Sequence, residues 1–443
     1  MPWDAEWLCC VAARGSYTPT RRPMRGDRAR CCLAADLPET HIAEKGGTMN
    51  SSSFQPGSTG LYIHVPFCRR KCPYCDFYSL GDTDEQTRDR YAAALCSQLR
   101  LWGHARSFAP FDTIYFGGGT PPLLGARNLS AVLDAAARYL PLASDVEVTL
   151  EANPESLTDA VLADCIAAGV NRLSIGLQSA VEAERALLGR RHTNEQVRRV
   201  LASSVRLGCG NLSVDVMVAL PGQTAAALEQ TLRFVGTLPV RHLSAYLLKV
   251  EPGTPFAGRT LALPGEDEAA VLYEQLVAGA AAMGFAQYEI SNFAAPGYAS
   301  RHNCKYWDCM PYLGLGPAAH SFLNGRRFYY PRDLEAYCRT PDQLCPAVDD
   351  GPGGDLEEYV LLRLRLTAGL TAAGLERRYG VSAARFAAWT AALRPLGEAG
   401  YLTAEGERLA LTPRGFLVSN AVIAAVLEAG ERLLPLCPHS TIM

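Results

Sequence analysis

The chain of 443 residues has almost no excess charge of either sign, with 42 Lys and Arg against 45 Asp and Glu for a net of −3. So weak a field does not draw the whole molecule onto nucleic acid or an anionic membrane, and partners must be read from local sites. It lacks any run of 18 apolar residues, which argues against a transmembrane helix and leaves peripheral membrane contact open. It lacks the positive start of a signal peptide: Asp4 and Glu6 stand where Lys or Arg would, and the apolar stretch Trp7 to Ala13 is short. A cytoplasmic location is the expectation. It also lacks a disulfide framework. Its 15 cysteines are odd in number and, outside one cluster, fall singly or in adjacent pairs, so reduced thiols with the clustered ones serving a metal suit it better than a secreted scaffold.

With 48% hydrophobic residues there is ample material for a core, and the length predicts one large domain and one smaller one. Residues 1–48 read differently from the rest. Six Arg and a single Asp lie between Val11 and Arg30, with Pro19 and Pro23 and no apolar periodicity. The segment reads as a targeting or nucleic-acid arm or, more simply, as an extension ahead of a start at Met49; Met1 and Met49 both stand as candidate starts.

From Leu61 onward, short β-branched or aromatic runs alternate with amphipathic stretches. Strands are predicted at Leu61–Val65, Thr113–Phe116, Glu147–Glu151, Arg172–Gly176, Ser213–Val218 and Leu243–Leu247. Helical patterns lie between them, which implies a parallel sheet with right-handed crossovers, doubly wound or rolled into a partial barrel. Either way the chemistry belongs at the carboxyl ends of the strands. After about Gly297 the pattern changes, and residues 301–350 read as a connecting segment. Beyond a Pro/Gly/Asp-rich break, residues 355–430 order themselves as helices, a hairpin and a last helix, like a winged-helix module. Asp355 to Glu428 holds eight Arg, no Lys and eight acidic residues, so a DNA reader's basic face is missing, and a packing or partner module, or a regulatory interaction module, is the alternative.

The strongest signal is Cys68-Arg-Arg-Lys-Cys72-Pro-Tyr-Cys75, directly after the first predicted strand. Three thiolates so spaced can hold three irons of a 4Fe-4S cluster and leave the fourth open to substrate. A structural zinc site is the competing reading, but it wants four closed ligands, and His64 is the nearby candidate for a fourth.

This loop, on the first strand-to-helix connection of a repeating β/α chain and with Tyr74 before the third Cys, resembles the radical S-adenosylmethionine (SAM) superfamily. The resemblance implies a partial (β/α)6 barrel over residues 58–300, a cluster on Cys68, Cys72 and Cys75, and S-adenosylmethionine on its open iron. It further implies that the ligand is contacted by Tyr62, Tyr74, Gly118, Gly119, Thr120, Glu151, Gln178, Arg190 and Asp215. Within the superfamily, Tyr62-Ile-His64-Val-Pro-Phe-Cys68 resembles the coproporphyrinogen dehydrogenase group. Its oxygen-independent dehydrogenases carry a further cysteine two residues past the third ligand, where this chain has Phe77. Cys75-Asp76-Phe77 and His302-Asn303-Cys304-Lys305-Tyr306-Trp307 resemble instead the haem chaperones of the HemW type. That branch implies bound haem, with His302, Tyr306, Trp307 and His320 as candidates to hold it, a haem-acceptor protein, and an electron donor for the cluster. Radical decarboxylation of coproporphyrinogen is the rival function.

Overall fold

The computed structural model describes residues 57–339 and 342–433; the extension 1–48 lies outside them. Six strands, β1 (Thr59–Val65), β2 (Phe111–Gly118), β3 (Leu142–Ala152), β4 (Arg172–Gln178), β5 (Asn211–Val218) and β6 (His242–Leu247), pair in parallel and in chain order. Each contains or overlaps one of the six runs read from the sequence. Helices Glu85–Ala105, Ala126–Tyr139, Asp159–Ala167, Asn194–Arg206 and Ala225–Gly236 lie between them. Every residue of β1 and β4 is buried, as expected of parallel strands covered on both faces. Four of these five helices start where a side chain caps the free N–H groups: Asp84, Thr158, Thr193 and Thr224 each accept from a first-turn amide.

The six strands do not close on themselves. β1 takes β9 (Tyr312–Leu315) in parallel, and β6 takes β8 (Asn292–Ala294) antiparallel. The core is therefore a partial barrel, extended at both edges into a 12-stranded sheet. β7 (Ala286–Glu289) ends one edge, and β10 (His320–Leu323), β11 (Arg326–Tyr329) and β12 (Val348–Pro352) build the other. Residues 301–350 thus do more than connect, since they supply three strands and the start of a fourth. Three of these strands have four residues and the fourth has five, too short for a period-2 pattern to stand out.

The C-terminal part is mostly helical, with Leu356–Arg363, Ala372–Tyr379, Ala383–Ala392 and Ser419–Leu433 beside a three-stranded sheet. That sheet has the order β13 (Leu370–Thr371), β15 (Arg408–Leu411), β14 (Leu402–Glu405). Trp389 is fully buried and donates to the Val426 carbonyl at 2.9 Å. The module is fastened to the sheet domain: Arg378 donates to the carbonyls of Asp308 (2.9 Å) and Cys309 (3.1 Å), Arg363 pairs with Asp308, and one hydrophobic core runs through both parts. Among the described residues no helix is long and apolar enough to cross a membrane.

Candidate functional site

Cys68, Cys72 and Cys75 lie in the loop that leaves β1, at the carboxyl end of the sheet. The Cys75 amide donates to the Cys72 carbonyl at 3.1 Å, and Cys68 and Leu80 close the loop with a backbone bond of 2.9 Å. Burial pushes the Cys75 thiol up to about 11, and the neighbouring Cys72 and Cys68 add to the rise. A buried thiol beside two others ionises only against compensating positive charge, which a bound metal would supply. Among the described residues no three His, Cys, Asp or Glu side chains converge tightly enough for one metal ion.

A chain of contacts ties this loop to the next strand ends. Cys68 Sγ is 3.6 Å from Thr120 Oγ1, which accepts from Asn153 Nδ2 at 3.1 Å. Arg190 donates to Asn153 Oδ1 and, through Nη2 and Nε, to Tyr74 Oη at 2.7 and 3.2 Å. Tyr74 and Cys75 are thereby held from the far side of the site. Asn153 went unremarked among the candidate residues because a lone Asn before Pro reads as an ordinary turn.

Further along the same ends, Glu151 accepts from Tyr115 Oη at 2.7 Å and from the Gly118 amide at 3.3 Å. Asp215 accepts from Ser174 at 2.9 Å, and its carboxyl is raised by burial and by the charge of Glu151. Gln178 sits at φ 64°, is 4% exposed, and its Oε1 has no hydrogen-bond partner. A buried acceptor left open at a strand end is a place for a ligand's donor. Gly118 and Gly119 have a nearer reason to be glycine than approach to a ligand. A Cβ on Gly118, at φ 104°, would stand 2.6 Å from the His64 ring, and one on Gly119 2.5 Å from the Phe67 carbonyl oxygen.

The histidines are differently placed. His64 Nε2 donates to the Tyr78 carbonyl at 2.8 Å, which leaves Nδ1 to accept from Tyr62 Oη at 3.0 Å, and burial pushes the imidazole down to about 4. Neither nitrogen remains for a fourth metal bond. His302 is 1% exposed, and its ring bonds Thr113 Oγ1 and Tyr306 Oη, both at 2.8 Å. It stacks on Tyr115 with ring centroids 5.0 Å apart. Gly60, in the first turn of pairing between β1 and β2, packs directly on it. His302 and Tyr306 therefore plug the amino-terminal end of the sheet, opposite the cysteine loop, and Trp307 is buried beside them. The structure does not bring these three to the site. His320 does lie on the loop's side. It stacks on Tyr329 at 5.0 Å, with Arg332 and His64 close enough to perturb it, and burial lowers it to about 4.

Comparison with known proteins agrees with this architecture. The radical SAM superfamily model matches residues 62–235, and the HemN C-terminal domain model matches residues 355–418. Heme chaperone HemW from Mycobacterium tuberculosis is 36% identical over 382 residues, covering 83% of this chain and 94% of that protein. The chain belongs to the HemW family of radical SAM proteins. Another relative, the mouse mitochondrial radical S-adenosyl methionine domain-containing protein 1, is 39% identical over 330 residues, 73% of this chain and 74% of its own. In fold, this HemW-type chain matches the Escherichia coli coproporphyrinogen III oxidase HemN with a TM-score of 0.73 at 21% identity, over 85% of this chain and 91% of that one. Membership of the superfamily implies a 4Fe-4S cluster and S-adenosylmethionine, and the three-thiol loop, the open Gln178 acceptor and the carboxylates at successive strand ends suit both.

Proposed function

We propose that this protein is a haem chaperone, which binds haem and passes it to an acceptor protein, on a radical SAM scaffold. The observation that carries the reading is end-to-end similarity to proteins named for that role: 36% identity over 94% of the M. tuberculosis HemW and 35% over 98% of the Bacillus subtilis one. Phe77, at the position where the coproporphyrinogen dehydrogenases carry a further cysteine, supports it over the rival decarboxylation.

In this reading Cys68, Cys72 and Cys75 hold the cluster, each thiolate taking its own iron, so the three need not converge on one point. When bound, the cluster and S-adenosylmethionine supply one-electron chemistry at sulfur, and an external electron donor is needed to charge it. The chain's own residues do the positioning. Glu151 and Asp215 present carboxylates to the ligand's cationic and hydroxyl groups, Gln178 offers its open acceptor, and Arg190 fixes Tyr74 beside the loop. The acceptor of haem is a protein whose identity the chain does not specify, and the cytoplasm is the compartment that suits reduced thiols.

The test is anaerobic purification and cluster reconstitution, followed by parallel assays of haem binding and of coproporphyrinogen conversion. Haem binding without conversion is the expected result. Sustained conversion overturns the chaperone reading.

A further inference from the structure

A cleft opens where the cysteine loop, the ends of β5 and β6 and the C-terminal module meet. Its walls are apolar, with Phe77, Met217, Leu248 and Phe416 among the side chains facing it, and its cations are Lys249 and Arg365. We propose that this cleft is the seat of the haem ring, with Lys249 and Arg365 receiving the propionates. The proposal rests on the haem-carrier reading above and gives that reading a place in the fold.

Three features carry it. The first is chemical match. Haem is a flat apolar plate with two carboxylates on one edge, and aromatic and aliphatic walls with cations beside them complement both parts. Of the acids that also line the cleft, Asp76 pairs with Arg332 at 3.2 Å, and Glu251 pairs with Lys249 at 2.6 Å, so a propionate shares the Lys249 ammonium with Glu251 or displaces that carboxylate. Arg365 is buried and donates to Asn420 at 3.4 Å, so its guanidinium is held in place.

The second feature is size. The cavity volume is ≈ 330 Å³, near the lower bound of ~300–1,000 Å³ for small-molecule sites. It is too small to enclose a tetrapyrrole, so part of the ring protrudes. Leu247, 42% exposed at the rim, continues the apolar surface outward. A half-covered ring suits cargo that another protein must take up.

The third feature is position. Phe77 lines the cleft two residues beyond Cys75, so the position that departs from the dehydrogenase pattern is part of this wall. His302, by contrast, has both ring nitrogens bonded at the other end of the sheet.

The experiment titrates the cluster-reconstituted full-length protein with ferric haem and with haem dimethyl ester, followed by Soret absorption. Wild type is compared with Phe77→Asp, Lys249→Glu and His302→Gln, with S-adenosylmethionine binding measured in parallel. Phe77→Asp places a charge against the ring and is expected to weaken haem binding by roughly tenfold or more while the cluster absorption persists. Lys249→Glu, at a side chain 57% exposed, is expected to weaken haem by about fivefold and to spare the ester. His302→Gln is expected to bind haem as wild type does. A wild-type protein that binds no haem refutes the carrier reading itself. Haem binding by wild type that survives unchanged in both Phe77→Asp and Lys249→Glu overturns the seat alone. Loss of S-adenosylmethionine with haem binding intact assigns the cleft to the nucleoside instead.

Discussion

Nδ1 of His302 lies 2.8 Å from Oγ1 of Thr113, inside the sheet and at the opposite end of its strands from the cysteines. A histidine followed four and five residues later by Tyr306 and Trp307 reads in sequence as a metal or porphyrin ligand. In the fold it is a core residue whose imidazole is held well below its ordinary pKa by burial; its Nδ1 fastens the helix Arg301–Trp307 to Thr113 of β2, and its Nε2 bonds Tyr306 one turn along the same helix.

His302→Ala is therefore expected to act on stability rather than on iron. It strands Thr113 and Tyr306 without partners and opens a cavity under Tyr115, at a cost of roughly 2–4 kcal/mol. Thermal denaturation should show a lowered Tm while the haem Soret band of the folded fraction keeps its position. A Soret shift with an unchanged Tm would restore His302 as a ligand.

Replacing Cys68, Cys72 or Cys75 singly by Ala should remove the charge-transfer absorption of the reconstituted protein. The three thiols sit in one loop at the carboxyl end of the sheet, and Cys75 is close enough to Cys72 and Cys68 for their charges to raise it. Retention of normal iron and sulfide by the triple variant would show that the cluster sits elsewhere.

Arg190 makes two bonds to Tyr74 and one to Asn153, a planar fork serving two partners. Lysine keeps the charge but cannot span both. Arg190→Lys is expected to weaken S-adenosylmethionine binding about tenfold, read by equilibrium dialysis, with iron content unchanged. Equal affinity in the two proteins would reduce Arg190 to a brace of the loop.

The central architecture was legible because its six strands are β-branched or aromatic and separated by amphipathic helices, and the cysteine loop because its spacing is tight. The sheet's edges were not. β9 pairs with β1 across some 250 residues of chain, and Gly314 and Gly316 belong to close packing: a Cβ there would stand 2.0 Å from the His320 carbonyl oxygen and 2.4 Å from Tyr91 Oη. The direction of His302 was illegible for the same reason, since which end of a sheet a helix plugs depends on contacts such as Thr113 that lie far away in sequence.

Glu289, on β7, offers a last test, of how the C-terminal module is held. It bridges Leu366 through the backbone, and its carboxylate faces the Ser291 amide at 3.0 Å, the Asn292 side chain and Arg365. Tyr246, Tyr273, Tyr288 and Cys304 surround it closely enough for its charge to raise them. Burial outweighs the favourable partners and pushes Glu289 up to about 7 from an ordinary 4.5. Between those values the folded protein keeps a proton that the unfolded chain has released. Its contribution to stability is therefore complete below about pH 4.5, falls as the pH rises toward 7, and is lost above it, a swing of order 3 kcal/mol at most. Glu289→Gln cannot ionise, so the difference in Tm between variant and wild type should widen from pH 5 to pH 7.5 in the variant's favour. A difference that stays constant across that range would mean that Glu289 is ionised throughout and that Arg365, rather than burial, sets its state.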